Sequence, residues 1–428
     1  AQATALPRVG FLCAHAHQHA AMRATAWMIQ RLSAGSQDFE VHLMLLDEQT
    51  DSRHGLDVPA AVIPASIARW RVRRRLPEAR EKIASLELDV LIFPELGLDP
   101  VAYALAFARL APVQAVMVLG HPSTSGLPSV DYAVSMAPFE LMGGKAREWY
   151  TEELVRLPGL PPLEPSPEVA RHRGQLQSKE SLLDAFGLHW LLGGRGKNET
   201  SARTWAEGLF DTLGFRRFVG GAAFRGRGGA GAEAPIVNDS IGRPWRLYVV
   251  PKNGRKLHPS FDAALREILE LDAGAVIVAL AYVPGDSPRL VEQDLLARWR
   301  RAGLPCDAQE GAGSRCIVRA EWLPTSSFLA WLTHADVLIE SAPFGGFTST
   351  LMGLELGRPW VSVRDSEGLV AGRMSAAFHA AIGLEECCVA GDFRELAAKA
   401  VRLARNDAGV RDAARAACAE RAGPNGTL

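Results

Sequence analysis

Four stretches of this 428-residue chain combine residue types that can do chemistry, and each follows an apolar run. In "DVLIESAPFGGFTSTLMGLELGRPWV" (336–361), Gly345, Gly346, Thr348, Ser349 and Thr350 separate a hydrophobic run from a helical pattern. Small residues at a helix start let a ligand approach backbone N–H groups, hydroxyls add donors, and the helix dipole favours negative charge there. Phosphate is the anion such a loop suits. The plainer alternative is an N-cap turn in which Thr348 or Ser349 satisfies its own helix, and on this loop alone the two readings weigh equally. The stretch matches neither the dinucleotide fingerprint nor the P-loop pattern.

The second stretch, "PKNGRKLHPS" (251–260), holds Asn253 and three cations, Lys252, Arg255 and Lys256. A lysine at a strand end neutralises a phosphate without a metal ion, although a solvated basic loop is the commoner meaning of such a cluster. The third, "HAHQHA" (15–20), alternates His15, His17 and His19. No Asp, Glu or Cys stands close by to complete a metal site, so no metal is expected. A single imidazole, titrating near neutrality, suits a general base better. The fourth, "GHPSTSG" (120–126), sets His121, Thr124 and Ser125 among turn formers, and turn formation alone accounts for it.

The elements that must position these loops read as strands alternating with helices. "RVGFLC" (8–13), "EVHLMLL" (40–46), "LDVLIFPEL" (88–96) and "VQAVMVLG" (113–120) are continuous apolar runs separated by helical patterns, with further strands at "DYAVSM" and "LVRLP". Continuous rather than alternating apolar runs predict α/β architecture, a parallel sheet covered on both faces. The rhythm breaks between 161 and 241, where "PGLPPLEPSPE" and "FRGRGGAGAEAP" predict a linker or insertion, partly disordered, with weak helical patterns at 182–190 and 205–213. It resumes with "RLYVVPK" (246–252), "AVIVALAYV" (275–283), "CIVRAEW" (316–322), "DVLIES" (336–341) and "PWVSV" (359–363), and three helices finish the chain. The expected organisation is therefore an N-terminal domain over 1–160, the insertion over 161–241 and a C-terminal domain over 242–428. Open α/β sheets bind ligands at the carboxyl ends of their strands, where all four stretches lie.

With 47 basic and 48 acidic residues, the chain carries no global field for nucleic acid or an anionic membrane, so any anion must be bound locally. No run of 18 to 20 apolar residues predicts a membrane span. The six cysteines form no CxxC pair, which favours buried thiols in a reducing compartment over a disulfide framework. Residues 1–8 lack a secretory pattern, and the expected location is cytoplasmic, while the start without Met leaves room for an upstream portion.

In combination and in order, these stretches resemble the catalytic region of family-41 glycosyltransferases, which include O-linked N-acetylglucosamine transferases and bacterial adhesin N-glycosyltransferases. The resemblance is carried by "VGFLCAHAHQH", "FARLAPVQAVMVLGHPSTSGLPSVDYAVS", "YTEELVRLPG", "KLHP", "THADVLIESAPFGGFTS" and "GRPWVSV". It covers most of the chain outside 161–241. It implies a GT-B fold, two Rossmann-like domains facing across a cleft, and inverting, metal-independent transfer of a hexose or N-acetylhexosamine from a UDP-sugar to a protein Ser/Thr or Asn side chain. No cofactor is implied beyond the donor itself. By position, His19 corresponds to the family's histidine proposed as base and Lys256 to the lysine on the diphosphate, the pair to which catalysis is assigned. Asn253, Gly346, Thr348 and Ser349 fall at donor contacts, His121, Thr124 and Ser125 in the loop facing the sugar, and Arg373 near the end of the donor site. The chain departs from the pattern at Phe347, where the O-linked branch has histidine, and at Met352, where both branches have an aspartate of the kind that binds ribose hydroxyls. Glu355, one turn on, is the substitute considered. Those departures keep two alternatives open, a nucleotide-sugar binding protein with little turnover and a sugar-nucleotide epimerase.

Overall fold

The computed structural model describes residues 6–14, 20–34, 38–47, 63, 67–120, 122–161, 166–177, 246–306, 315–364 and 368–422. The chain forms two compact units, Ala1–Glu164 with Ser366–Met374 and Pro165–Asp365 with Ser375–Leu428.

In the first unit, seven strands form one parallel sheet: β1 (Arg8–Cys13), β2 (Glu40–Asp47), β3 (Ala68–Arg73), β4 (Val90–Phe93), β5 (Val113–Met117), β6 (Tyr132–Met136) and β7 (Glu153–Leu157). Their order is β3-β2-β1-β4-β5-β6-β7, with helices α1 (Ala20–Ala34), α2 (Leu76–Ala84) and α3 (Pro100–Ala106) in the connections. Phe11, Leu43, Leu91, Phe93 and Val116 are fully buried, as strands covered on both faces require. Strand β3 has no counterpart among the predicted strands because "ARWRVR" is not an apolar run. Arg69, Arg71 and Arg73 face solvent from the edge of the sheet while Val72 points inward, and outward charge is what protects an edge strand from pairing further.

The second unit repeats the winding. Strands β8 (Arg246–Val250), β9 (Ala275–Leu280), β10 (Cys316–Arg319), β11 (Val337–Ile339), β12 (Trp360–Val363) and β13 (Val389–Ala390) are parallel in the order β10-β9-β8-β11-β12-β13. Among the described residues its helices are α4 (Pro167–Gln177), α5 (Asp262–Leu271), α6 (Pro288–Arg301), α7 (Thr325–His334), α8 (Thr348–Glu355), α9 (Val370–Ala381), of which the part up to Met374 falls in the first unit, α10 (Glu385–Cys388), α11 (Phe393–Arg405) and α12 (Val410–Arg421). Among the described residues, four helices therefore follow β12, where the sequence predicts three. In each sheet the first strand lies inside, the next two build to one side and the later ones to the other, which is the doubly wound, Rossmann-like arrangement.

Helix α11 shows how local sequence serves this packing. Asp392 accepts from Glu395 N at 2.8 Å as N-cap, Asn406 ends the helix in the left-handed region at φ 59°, and Leu396, Ala397, Ala400, Val401, Leu403 and Ala404 are buried along one stripe. Beneath the sheet, the buried Arg246 guanidinium is neutralised by Asp272, which takes its Nε at 2.6 Å and Tyr248 Oη at 2.7 Å.

Of the span 161–241, the described part after residue 161 is Ser166 and α4, which lies in the second unit with His172 Nε2 3.3 Å from Thr333 Oγ1 of α7. The helical patterns at 182–190 and 205–213 lie outside the described residues. The expectation of thiols needs one correction, because Cys306 and Cys316 form a disulfide with Cα atoms 5.1 Å apart. A spacing of ten carries no signature that sequence alone can read. Cys13, Cys387, Cys388 and Cys418 are free. Among the described residues, no helix is long and apolar enough to cross a membrane.

Candidate functional site

In the second unit the winding reverses between β8 and β11, which pair with each other while their connections lead to opposite sides. Such a switch point is where an open α/β sheet leaves room for a ligand beyond its strand ends. The loop after β8 carries Lys252 and Lys256, and the loop after β11 leads into α8. They meet: Lys256 Nζ donates to Gly345 O at 3.2 Å and stands 4.4 Å from the centre of the Phe344 ring.

Underneath, Lys252 is buried. Its amine lies 2.7 Å from Glu340 Oε1, donates to Ser349 Oγ at 3.0 Å and sits 4.3 Å from the Trp360 ring centre. Glu340, equally buried, also accepts from Gly346 N at 3.0 Å, from Thr350 Oγ1 at 2.7 Å and from Ser375 Oγ. Burial pushes the Glu340 carboxyl up, but Lys252, Ser375 and Thr350 outweigh it and hold the acid below the usual carboxylate range. One acid thus ties the strand end, the glycine loop, α8 and α9 together.

Phe347 stands at the N-cap of α8 and supplies no side-chain cap, and the first helical hydrogen bond runs from Leu351 N to Phe347 O. The amides of Thr348, Ser349 and Thr350 precede that bond, at the end of the helix that favours an anion. Burial lowers the Lys256 amine to about 8, with Lys252 adding to the effect and Glu340 opposing it. An arriving anion would raise it again. These are donors and positive ends gathered on one edge of one sheet, suited to a phosphate-bearing ligand.

No protein-family model matches the chain, and no curated protein matches it significantly in sequence. Solved structures do match. The chain superposes on a mutant O-GlcNAc transferase from Thermobaculum terrenum with a TM-score of 0.66 and 19% identity, over 96% of this chain and 62% of that one. It also superposes on the N-terminal domain of trehalose-6-phosphate phosphatase from Candida albicans, with a TM-score of 0.50 and 9% identity, over 98% of this chain and 93% of that one. The chain thus spans somewhat under two thirds of the bacterial transferase, and at these identities the likeness is one of fold. That fold is GT-B.

Within the GT-B fold the predicted site residues separate into groups. Lys256, Gly346, Thr348 and Ser349 come together at the second unit's switch point, with Asn253 at the start of the turn 254–256, where its Oδ1 accepts from Arg255 N at 2.9 Å. The three cations of that loop have different fates. Arg255 is exposed and pairs with Asp286 at 3.5 Å, as the plain reading of a basic loop predicts, whereas Lys252 and Lys256 turn inward. In the first unit Thr124 and Ser125 are held by Glu152, which accepts from Thr124 Oγ1 at 2.8 Å, from Ser125 N at 2.7 Å and from Ser125 Oγ. Arg373 belongs to that unit too, donating to the carbonyls of Phe139 (2.8 Å) and Gly368 and standing 3.8 Å from Glu140. His19 and His121 lie outside the described residues, as do His15 and His17.

Glu355 is the residue considered as a substitute for the ribose carboxylate. It is buried, with Oε2 accepting from Ser166 N at 3.0 Å. Phe347 packs its ring 5.5 Å from that of Phe378. Sequence reasoning assigned no site role to Glu340, Ser375 or Glu152, and named Lys252 only as one of the three cations of its loop. A polar residue closing the apolar run "DVLIE" is a readable signal for Glu340, while Ser375 carries none. No cluster of three or more His, Cys, Asp or Glu able to hold a metal occurs among the described residues.

Proposed function

We propose that the chain is a glycosyltransferase of the family-41 type, moving a hexose or N-acetylhexosamine from a UDP-sugar to a protein Ser/Thr or Asn side chain with inversion and without a metal ion. The observation that carries this reading is the meeting of Lys256 with the glycine loop that opens α8, at the switch point of a GT-B unit. Departure of a nucleoside diphosphate builds negative charge on its phosphate oxygens. The Lys256 ammonium, the Ser349 and Thr348 hydroxyls and the first amides of α8 are donors fixed in advance where that charge would develop. His19 is assigned to the acceptor on the strength of the sequence resemblance. For an amide nitrogen acceptor a base contributes less, and positioning would do more.

The test is release of UDP from a panel of UDP-sugars, with intact-mass analysis of acceptor proteins incubated alongside. A mass increase of one sugar together with UDP release is the expected result. A free sugar nucleotide altered without any acceptor would replace this reading with an epimerase. The replacement of the expected ribose carboxylate by Met352, with Glu355 committed to Ser166, favours one second reading, a binding protein with little turnover. Calorimetric UDP binding with no UDP release under any acceptor would establish it.

A further inference from the structure

We propose that Lys252 and Glu340 are positioning residues of the donor site, a buried pair that turns the Ser349 hydroxyl into a committed outward hydrogen-bond donor for the diphosphate. The proposal rests on the functional reading above. Its geometry is specific. The Lys252 amine is anchored on Glu340 at 2.7 Å and over the Trp360 ring, and one of its hydrogens goes to Ser349 Oγ at 3.0 Å. An ammonium has donors only, so in this contact Ser349 accepts and its own hydrogen is left to point elsewhere. Lys252 is inside and Ser349 is half-exposed, so elsewhere is the face where Lys256 and the start of α8 lie. A hydroxyl whose oxygen already accepts from a cation is a stronger donor than one bonded to water, because hydrogen bonds in a chain polarise one another.

Glu340 completes the device. With Gly346 N, Thr350 Oγ1 and Ser375 Oγ also bound to it, the carboxylate fixes the loop and helix that carry Ser349; burial lowers the Lys252 amine, and Glu340 opposes that shift. Gly346 gains a second meaning. A Cβ there would collide with the Lys252 amine and stand 2.7 Å from Ser349 Oγ, so the glycine makes room for the pair as well as for a ligand.

A buried ion pair exchanged for neutral groups of similar size often leaves stability unchanged, and this separates positioning from scaffolding. The double variant Lys252→Met/Glu340→Gln is expected to melt near the wild type and to bind UDP about tenfold or more weakly by calorimetry, the loss typical of a hydrogen bond to a charged group. Wild-type UDP affinity in a variant that melts normally would overturn the proposal. In a Ser349→Ala background the same double change should cost less than about twofold further, because the pair acts through that hydroxyl; a full additive loss would overturn it. Ser349→Ala alone, at a half-exposed position, provides the measurement if the double variant does not fold. It should lose about tenfold in UDP affinity, and no loss overturns the inference. Wild-type protein that binds no UDP sinks the functional reading and this proposal together, whereas wild-type binding with an indifferent double variant sinks this one only.

Discussion

The two units wind their sheets in the same order and each has a hydroxyl-rich loop after a parallel strand, "GHPSTSG" after β5 in one and "GGFTST" after β11 in the other, yet the loops meet different fates. In the first unit Glu152 reaches the hydroxyls from alongside and absorbs them: Thr124 Oγ1, Ser125 Oγ and Ser125 N all end on its carboxylate. In the second, Glu340 lies beneath its loop and takes the inner donors, Gly346 N, Thr350 and Ser375, while Thr348 and Ser349 stay half-exposed beside Lys256. The position of one acid decides whether a hydroxyl-rich loop closes on itself or keeps donors for a ligand. Composition does not distinguish the two cases.

The largest expected effect breaks the comparison on the side of the second unit. Lys256→Ala removes the cation nearest the glycine loop, and turnover with a UDP-sugar should fall by two to three orders of magnitude, ~3–4 kcal/mol of transition-state stabilisation. Melting temperature should barely change, since Lys256 is half-buried and bonded to a single carbonyl. Steady-state kinetics decide the matter, and near-normal kcat/KM would remove Lys256 from the proposed mechanism.

The converse test strikes the first unit. Glu152→Ala strands the buried Ser125 hydroxyl and amide and the Thr124 hydroxyl, costing ~2–3 kcal/mol of stability, with UDP affinity unchanged. Burial raises the Glu152 carboxyl, but bonds from Ser125 and Thr124 outweigh that, and the net shift is downward. A depressed folded pKa adds stability that is present at neutral pH and disappears as pH falls through the folded value. Denaturant melts from pH 7 to pH 3 should therefore lose this increment in the wild type and show none to lose in the variant.

Much of this division was legible in the residues and part was not. Continuous apolar runs predicted nearly every strand of both sheets, because a strand covered on two faces must be apolar throughout. The exceptions are instructive: β3 alternates arginine with apolar residues at a sheet edge, and β13 has only Val389 and Ala390 to show. At the candidate site, small residues and cations after strands pointed to both loops, and the family resemblance picked out Lys256 among the three cations. What could not be read was inversion of accessibility within a loop. Lys252 and Arg255 are three residues apart and chemically alike, but one is buried on Glu340 and the other exposed beside Asp286. That outcome depends on contacts between residues 88 positions apart in the chain, Lys252 and Glu340, which no local pattern records.

A pH series sharpens the contrast further. Burial, then Lys252, bring Lys256 to about 8, and the charged groups facing it are Lys252 and Glu340, which remain paired. A diphosphate binds the protonated amine, so UDP affinity should hold below pH 8 and fall above it, approaching tenfold, ~1.4 kcal/mol, per further unit. Calorimetry between pH 7 and 10 measures this directly. Lys256→Arg, whose guanidinium stays charged throughout, should flatten the profile, and an unchanged slope in that variant would assign the titration to another group.

The smallest effect is the most discriminating, because it compares like with like. Thr348 and Thr124 are both half-buried hydroxyls in glycine-bearing loops after parallel strands. Thr348→Ala should lower UDP affinity by ~0.5–1.5 kcal/mol, the usual worth of one hydrogen bond, with little change in melting, because the uncapped helix start that follows is the feature it serves. Thr124→Ala should do the reverse, taking ~1 kcal/mol from stability through lost bonds to Glu152 and Thr151 while UDP binds as before. If the two alanine variants shift the same quantity, the acids beneath and beside these loops do not set their roles, and the contrast between the units reduces to one of sequence alone.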